Sequence, residues 1–145
     1  MDNATDKKQH VLIVEDSEFV RNYHAYILEG ADFQVTTAVD GSDGLKKLRV
    51  QPFDLVLTDI NMSNMDGYEF IRRVRAEARY RVVPIIIVST ESEARDKTKG
   101  FEAGANLYIV KPTTPKMVIE NIRLVLGAGE PREKFSLAFW PRLVQ

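Results

Sequence analysis

Short apolar runs alternate along the chain with longer stretches in which apolar residues recur at the spacing of one helix face. Apolar runs of this length that are rich in β-branched side chains predict strands. Five of them are present: VLIV (11–14), FQVTTA (33–38), LVLT (55–58), PIIIV (84–88) and NLYIV (106–110). Runs such as VLIV and IIIV are apolar at every position, which is typical of central strands in a parallel sheet covered on both faces.

Three of the intervening stretches begin with a helix-capping signal. Ser17 can cap a first helix, Asp66 with Glu69 three residues later resembles a capping box for a third, and Thr114 precedes a proline at the start of a last helix. The apolar positions predicted to face the core are, in the same order, Val20, Tyr23 and Ile27, then Phe70, Ile71 and Val74, and finally Val118, Ile122 and Val125.

Two further helices are predicted at about 42–50 and 92–102, where charged residues indicate solvated faces. Gly30 and Gly127 stand where the first and last helices are expected to end. Strict alternation of strands and helices predicts an α/β fold with a doubly wound parallel sheet, because parallel neighbours need right-handed helical crossovers. Functional groups are then expected at the carboxyl ends of the strands.

Composition narrows the possible functions. With 145 residues, of which 44% are hydrophobic and 28% charged, the chain is expected to form one globular domain. A net charge of -1 gives no overall attraction to nucleic acid or to an anionic membrane. Since there is no cysteine, disulfides, zinc thiolate sites and thiol catalysis are excluded. No apolar run is long enough to span a membrane, so the chain is predicted to be cytoplasmic and without membrane insertion.

Charged and hydroxyl side chains follow four of the predicted strands. Glu15 and Asp16 end the first, Asp59 follows the third, Ser89 ends the fourth and Lys111 follows the fifth. Two adjacent carboxylates about 4 Å apart repel by about 4 kcal/mol at an effective dielectric constant of about 20, which a divalent cation such as Mg²⁺ would offset. A carboxylate nucleophile, a metal, an ammonium group and a hydroxyl match the needs of phosphoryl transfer. Asp59 is the candidate nucleophile because it ends the central apolar strand.

These residues lie within four motifs, EDS (15–17), TDINMSNMDG (58–67), VSTES (88–92) and YIVKP (108–112). Together they resemble the response-regulator receiver domains of two-component signalling, particularly the single-domain, CheY-like chemotaxis type. The resemblance covers residues 9–127 and leaves 1–8 as a flexible N-terminus and 128–145 as a tail. It implies the flavodoxin-like receiver fold, with five helices around a five-stranded parallel sheet in the order 2-1-3-4-5.

The resemblance also implies a chemical role for each site residue. Asp59 would accept a phosphoryl group from a histidine kinase. Glu15 and Asp16 would hold Mg²⁺ together with Asp59 and the backbone carbonyl of Asn61. No other cofactor is expected.

A second group of residues would transmit the effect of phosphorylation to the output face. Ser89 would move to bind the phosphoryl group and Lys111 would pair with it, with the bond from Lys111 to Pro112 cis as in many relatives. Tyr108 would be the aromatic switch whose ring turns inward. The output face would be formed by helix four, strand five and helix five.

Some positions near the site refine this interpretation. Asn61 and Glu91 match positions that tune dephosphorylation in the chemotaxis type. Ser63 stands where the family commonly has proline, which predicts a looser loop. Thr90 is bulkier than the Ala or Gly that relatives favour, which predicts restricted access to the site.

The implied partners are a sensor histidine kinase or phosphotransfer protein, a downstream target protein and, as a third candidate, a phosphatase. The basic segment RRVRAEARYR (72–81) is interpreted as an exposed helix face, so no direct contact with nucleic acid is expected. Two alternatives to a signalling switch are an aspartate-nucleophile phosphatase and a receiver-like scaffold that is never phosphorylated. The phosphatase is disfavoured because the second position after Asp59 is Asn61 rather than an aspartate.

Two histidines and the tail are less informative. His10 and His24 lack motif partners, which favours structural or solvated roles. In the tail, Phe135 and Phe139 fit both strand and helix spacing. An extension resting on the domain and a docking segment for a partner both remain open.

Overall fold

The computed structural model describes residues 7–127. Its five strands form one sheet in the order β2-β1-β3-β4-β5, in which every neighbouring pair is parallel. The strands are β1 His10–Val14, β2 Gln34–Ala38, β3 Leu55–Thr58, β4 Ile85–Ser89 and β5 Leu107–Val110. The predicted fold class and strand order are confirmed. The predictions for residues 1–6 and for the tail at 128–145 lie outside the described residues.

In the described part of the chain, five α-helices connect and follow the strands. They are α1 Glu18–Gly30, α2 Gly41–Val50, α3 Gly67–Ala76, α4 Ala94–Ala103 and α5 Pro115–Leu126, with a short 3-10 helix at Ala78–Tyr80. Within residues 7–127, none of these helices is both long enough and apolar enough to cross a membrane.

Both faces of the sheet are covered by helices. Leu12, Val56 and Ile87 belong to a core cluster that includes side chains of α2, α3 and α4. Their sequence neighbours Ile13 and Leu57 belong to the opposite cluster, which includes side chains of α1 and α5. Because successive side chains of a strand point to opposite faces, a sheet covered on both sides needs apolar residues at every strand position.

The predicted helix caps are present. The side chains of Ser17, Asp66 and Thr114 accept hydrogen bonds from the backbone N–H groups three residues on. Gly127 ends α5 with a φ of 76°, a conformation that glycine adopts without strain. Glu69, however, makes ion pairs with Arg residues of its own helix.

Of the predicted core-facing positions of α1, Ile27 packs against the core and Val20 is half-buried, and only Tyr23 is wrong. His24 and Leu28 are buried, whereas Tyr23 is 41% exposed. A neutral imidazole packs almost as an apolar ring, which the polar character of histidine in a sequence pattern conceals. The left-handed residue after α1 is Asp32, with a φ of 74°, and not Gly30. Aspartate is one of the residues that tolerate this conformation.

The segment 72–81 is only partly the exposed face that its sequence suggests. Arg75 turns inward and donates hydrogen bonds to the carbonyl oxygens of Gly104 at 2.7 Å and Tyr80 at 3.0 Å, and to Oδ1 of Asn106 at 2.9 Å. The same Asn106 oxygen accepts from the N–H of Ile85, the first residue of β4. Arg75 therefore joins α3 to the ends of α4 and β5.

Candidate functional site

The sheet register brings the predicted site residues to one edge. Val14 of β1 lies opposite Thr58 of β3, so the acids that follow these two strands are neighbours. The Nζ of Lys111 lies 3.1 Å from Oδ2 of Asp59 and 3.4 Å from Oε1 of Glu15. All three side chains are largely buried. One ammonium group is thus shared between two carboxylates that come from different loops.

The adjacent acids Glu15 and Asp16 point in different directions. Glu15 is only 4% exposed, and its Oε2 accepts a hydrogen bond from the N–H of Ser17 at 3.0 Å. Asp16 is exposed, and its Oδ2 accepts from the N–H of Ser63 at 3.2 Å. Separate donors therefore reduce the repulsion that the sequence suggests.

Burial dominates the electrostatics of Glu15. Desolvation raises the pKa of its carboxyl group above the ordinary value. The hydrogen bond from Ser17 opposes this rise, the nearby charge of Asp59 adds to it, and Lys111 opposes it. The ammonium group of Lys111 is thus one of the two groups that favour the ionised form of Glu15.

The backbone around Lys111 and Asp59 fixes both groups. The N–H of Lys111 donates to the carbonyl oxygen of Ser89 at 2.7 Å, and the peptide bond to Pro112 is cis, as the resemblance implies. The N–H of Asp59 donates to the carbonyl oxygen of Val14 at 3.2 Å. Oδ1 of Asp59 also accepts from the N–H of the next residue, Ile60, at 2.6 Å.

Ser89 is completely buried at the end of β4. Its hydroxyl oxygen accepts from the N–H of Glu91 at 3.1 Å. The carbonyl oxygen of the same Glu91 accepts from the hydroxyl group of Tyr108 at 2.8 Å. Ser89 and Tyr108 are therefore linked through the backbone of one residue.

The half-buried ring of Tyr108 lies against α4. A β-carbon at Gly100 would come within 3.2 Å of this ring, so glycine permits the close approach. Phe101 meets the ring edge-on, with ring centroids 6.5 Å apart. Burial raises the pKa of the Tyr108 phenol, which therefore stays protonated and able to donate.

Asn61 and Glu91, the predicted tuning pair, touch each other. Nδ2 of Asn61 lies 3.2 Å from Oε2 of Glu91. The contact joins the loop after β3 to the loop after β4.

Sequence reasoning missed two contributors to this region. Tyr68, in the first turn of α3, donates to the carbonyl oxygen of Asp96 at 3.2 Å, and Lys99 lies over its ring at 4.6 Å. His24 is 5% exposed, and burial and then the charge of Lys111 lower its pKa to about 4.

A groove of about 370 Å³ lies between α1 and the loop that follows β5. Tyr23, His24, Thr90, Lys111 and Pro112 contribute to its walls. The side chain of Thr90, which is predicted to restrict access to the site, therefore lies on the approach to Lys111.

Within residues 7–127, no group of three or more histidine, cysteine, aspartate or glutamate side chains is arranged to hold a metal ion. Both oxygens of Glu15 have protein partners, as described above. The same holds for Asp59, whose oxygens contact Ile60 and Lys111, so a metal at this edge would compete with these partners for either carboxylate.

Comparisons with known proteins agree with this geometry. The sequence model of the family described as response regulator receiver domain matches residues 11–123. The transcriptional regulatory protein AfsQ1 of Streptomyces coelicolor is 36% identical over 129 residues, which cover 89% of this chain and 56% of that protein. The chain spans about half the length of the curated relatives it matches.

Solved structures show the same likeness. The chemotaxis protein CheY4 of Vibrio cholerae has a TM-score of 0.80 at 34% identity, over 82% of this chain and 99% of that one. The receiver domain of the sensor histidine kinase PA1611 from Pseudomonas aeruginosa, solved with a magnesium ion in its active-site cleft, has a TM-score of 0.78 at 27% identity, over 83% of this chain and 99% of that one. This chain belongs to the response regulator receiver domain family of two-component signalling.

Proposed function

We propose that Asp59 accepts a phosphoryl group from a sensor histidine kinase or a phosphotransfer protein, in a reaction that depends on Mg²⁺. The observation that carries this proposal is the contact between Lys111 and Asp59, a charged pair enclosed at the carboxyl edge of the sheet. Its position matches the place where open α/β sheets hold their functional groups.

The chemistry needs little beyond positioning and charge. One carboxylate oxygen of Asp59 attacks the phosphorus of the donor phosphohistidine, and the P–N bond breaks with its electron pair returning to the imidazole. The product is an acyl phosphate, which water later hydrolyses to inorganic phosphate and the free carboxylate. Lys111 stabilises the negative charge on the phosphoryl oxygens as a point charge close to Asp59.

The donor set at this edge fits Mg²⁺, which usually binds one or two carboxylates and keeps several waters. We propose Asp16 and Asp59 as the carboxylate ligands and the carbonyl of Asn61 as the main-chain ligand. When bound, Mg²⁺ would neutralise phosphoryl oxygens as a Lewis acid. Glu15 stays a predicted ligand, and its contacts with Ser17 and Lys111 support an additional role in positioning the ammonium group.

The switch is proposed to act through the backbone of Glu91. Phosphorylation adds a charge of about -1.5 to -2 and new acceptor oxygens close to the end of β4. If Ser89 turns to donate to them, it releases the N–H of Glu91, and the carbonyl of Glu91 is the acceptor that holds Tyr108. Movement of the Glu91 backbone would therefore affect the contacts of both Ser89 and Tyr108.

The proposed output face consists of α4, β5 and α5. A groove of about 350 Å³ on this side is lined in part by Tyr108, Pro112, Met117 and Asn121. Because Tyr108 forms part of its wall, a change in that ring would alter the groove directly. We propose that a downstream protein binds here, and that the chain acts in the cytoplasm without contacting nucleic acid. A chemotaxis role stays a prediction, since the matched proteins include both a transcriptional regulator and a chemotaxis protein.

The proposed role is a switch and not an enzyme with turnover. Intact-mass measurement after treatment with acetyl phosphate and Mg²⁺ tests this, with Asp59→Asn as the control. We expect one phosphoryl adduct that decays slowly in the wild type and none in the variant. Sustained release of phosphate would support the phosphatase alternative, and a wild type without an adduct would support the scaffold.

A further inference from the structure

The N–H of Ser63 lies 3.2 Å from Oδ2 of Asp16 and donates a hydrogen bond to it. This contact joins the loop after β3 to the loop after β1. Proline, the residue common at position 63 in the family, has no N–H and could not make it. The bond therefore depends on a departure of this sequence from the family pattern.

The rest of this loop is held as well. The N–H of Met65 donates to the carbonyl oxygen of Ser63 at 2.8 Å across Asn64, whose φ is 71°. Nδ2 of Asn64 lies 3.2 Å from Oδ2 of Asp40, the residue that caps α2. The loop is thus tied on one side to Asp16 and on the other to Asp40, and the looser loop that the missing proline suggests stays a prediction.

The contact has a consequence for Asp16 as a ligand. An exposed aspartate side chain samples several rotamers, and ordering such a side chain on binding lowers affinity. The bond to Ser63 engages Oδ2 and leaves Oδ1 available. Mg²⁺ requires near-ideal octahedral geometry, and hydrogen bonds from an outer shell commonly orient the carboxylates that bind it.

We propose that the backbone amide of Ser63 is a positioning group that presets Asp16 as a single-oxygen ligand for Mg²⁺. The inference rests on the proposed function, since it assumes that Asp16 binds the metal. It assigns the effect to the main chain of residue 63 and not to its hydroxyl group.

Two substitutions in the full chain separate these contributions. S63P removes the N–H, whereas S63A keeps it and removes only the hydroxyl group. Titration with Mg²⁺ alone, followed by calorimetry, is expected to give a dissociation constant about tenfold weaker for S63P, at the lower end of the effect of losing an outer-shell partner. S63A is expected to bind like the wild type. Equal or tighter binding by S63P, or equal weakening in both variants, would overturn the inference.

Amide hydrogen exchange gives a second test that does not depend on whether S63P folds. Without added Mg²⁺, the amide of Ser63 is expected to be protected in the wild type and to lose that protection in D16A. Fast exchange in the wild type, or unchanged protection in D16A, would contradict the hydrogen bond from Ser63 to Asp16.

If the amide is protected but the wild type binds no Mg²⁺, the metal dependence of the proposed function fails along with this inference. If the wild type binds Mg²⁺ and S63P binds it equally well, only the inference fails.

Discussion

At the amino edge of the sheet, polar side chains bind main-chain atoms that the fold already holds in place. The hydroxyl group of Tyr80 donates to the carbonyl oxygens of Leu48 and Gln51 at the end of α2. At the carboxyl edge, by contrast, Lys111 is shared between the side chains of Glu15 and Asp59. The carbonyl oxygens at the end of α2 are held in place by the helix itself, whereas side chains that share a charge can exchange partners when a new anion arrives.

His10 and Arg75 extend this comparison. The N–H of His10 donates to the carboxylate of Asp54 at 2.7 Å and its ring nitrogen contacts the hydroxyl group of Thr36 at 2.7 Å. Of the structural or solvated role that the sequence predicts for His10, these contacts support the structural one. Arg75 carries a full charge yet uses it on fixed acceptors of the scaffold. Charge alone therefore does not mark a functional residue, and the kind of partner that it binds is the better guide.

The largest expected effect on stability is at the scaffold. R75A leaves the carbonyl oxygens of Gly104 and Tyr80 without this donor and removes one of the two donors to Oδ1 of Asn106. The change should lower the free energy of unfolding by about 3 kcal/mol. Urea unfolding measures this. At a temperature where the variant is folded, its phosphorylation by acetyl phosphate should match the wild type. A loss of phosphorylation in the folded variant would contradict the division of roles between a structural amino edge and a functional carboxyl edge.

Acid should destabilise the protein through His24. Its pKa is about 4 in the folded state against an ordinary 6.5, so the unfolded chain binds the proton more readily. The contribution of neutral His24 to the free energy of unfolding is fully present above pH 6.5 and is lost as the pH falls towards 4. This loss amounts to about 2 kcal/mol between pH 7 and pH 5. Urea unfolding at the two pH values should show this loss, and H24L should show less of it. An equal loss in H24L would assign the acid sensitivity to other groups.

At the carboxyl edge, removing a charge should stabilise the fold. D59N removes the negative charge that helps to raise the pKa of Glu15. The ammonium group of Lys111 then forms an ion pair with Glu15 alone. We expect the free energy of unfolding at pH 7 to rise by about 1 kcal/mol, since functional sites hold charges that stability alone would not select. Urea unfolding without Mg²⁺ checks this, and a destabilised D59N would contradict it.

The smallest effect on stability is expected for the contact between Asn61 and Glu91. The pair lies at the surface of the site, so N61A and E91A should each change the free energy of unfolding by less than about 0.5 kcal/mol. Because the contact joins two loops at the mouth of the site, its loss should give water easier access and shorten the lifetime of the phosphoryl adduct several-fold. Decay followed by intact mass measures this, and an unchanged lifetime in both variants would leave the pair without the tuning role.

Local signals made much of the fold predictable from the sequence. The caps at Ser17, Asp66 and Thr114 depend on residues within one helical turn of each other, and the apolar strands identify themselves by composition. The placement of Asp59 and Lys111 was also predictable, because the carboxyl ends of parallel strands meet at one edge.

Features that depend on tertiary contacts were not predictable. The acceptors of Arg75 in the loop after α4 lie about thirty residues away in the chain, so its sequence context suggests only an exposed helix. The separation of Glu15 from Asp16 depends on which of them the strand register turns inward. The bond from Ser63 to Asp16 joins residues 47 positions apart, and no pattern in either loop indicates it.

Asp59 is proposed to be the residue that receives the phosphoryl group. After treatment with acetyl phosphate and Mg²⁺, borohydride reduction converts an aspartyl phosphate to homoserine, which peptide mass spectrometry locates. We expect homoserine at position 59 in the wild type, none at 15 or 16, and none anywhere in D59N. Homoserine at position 15 or 16, or an adduct that persists in D59N, would contradict it.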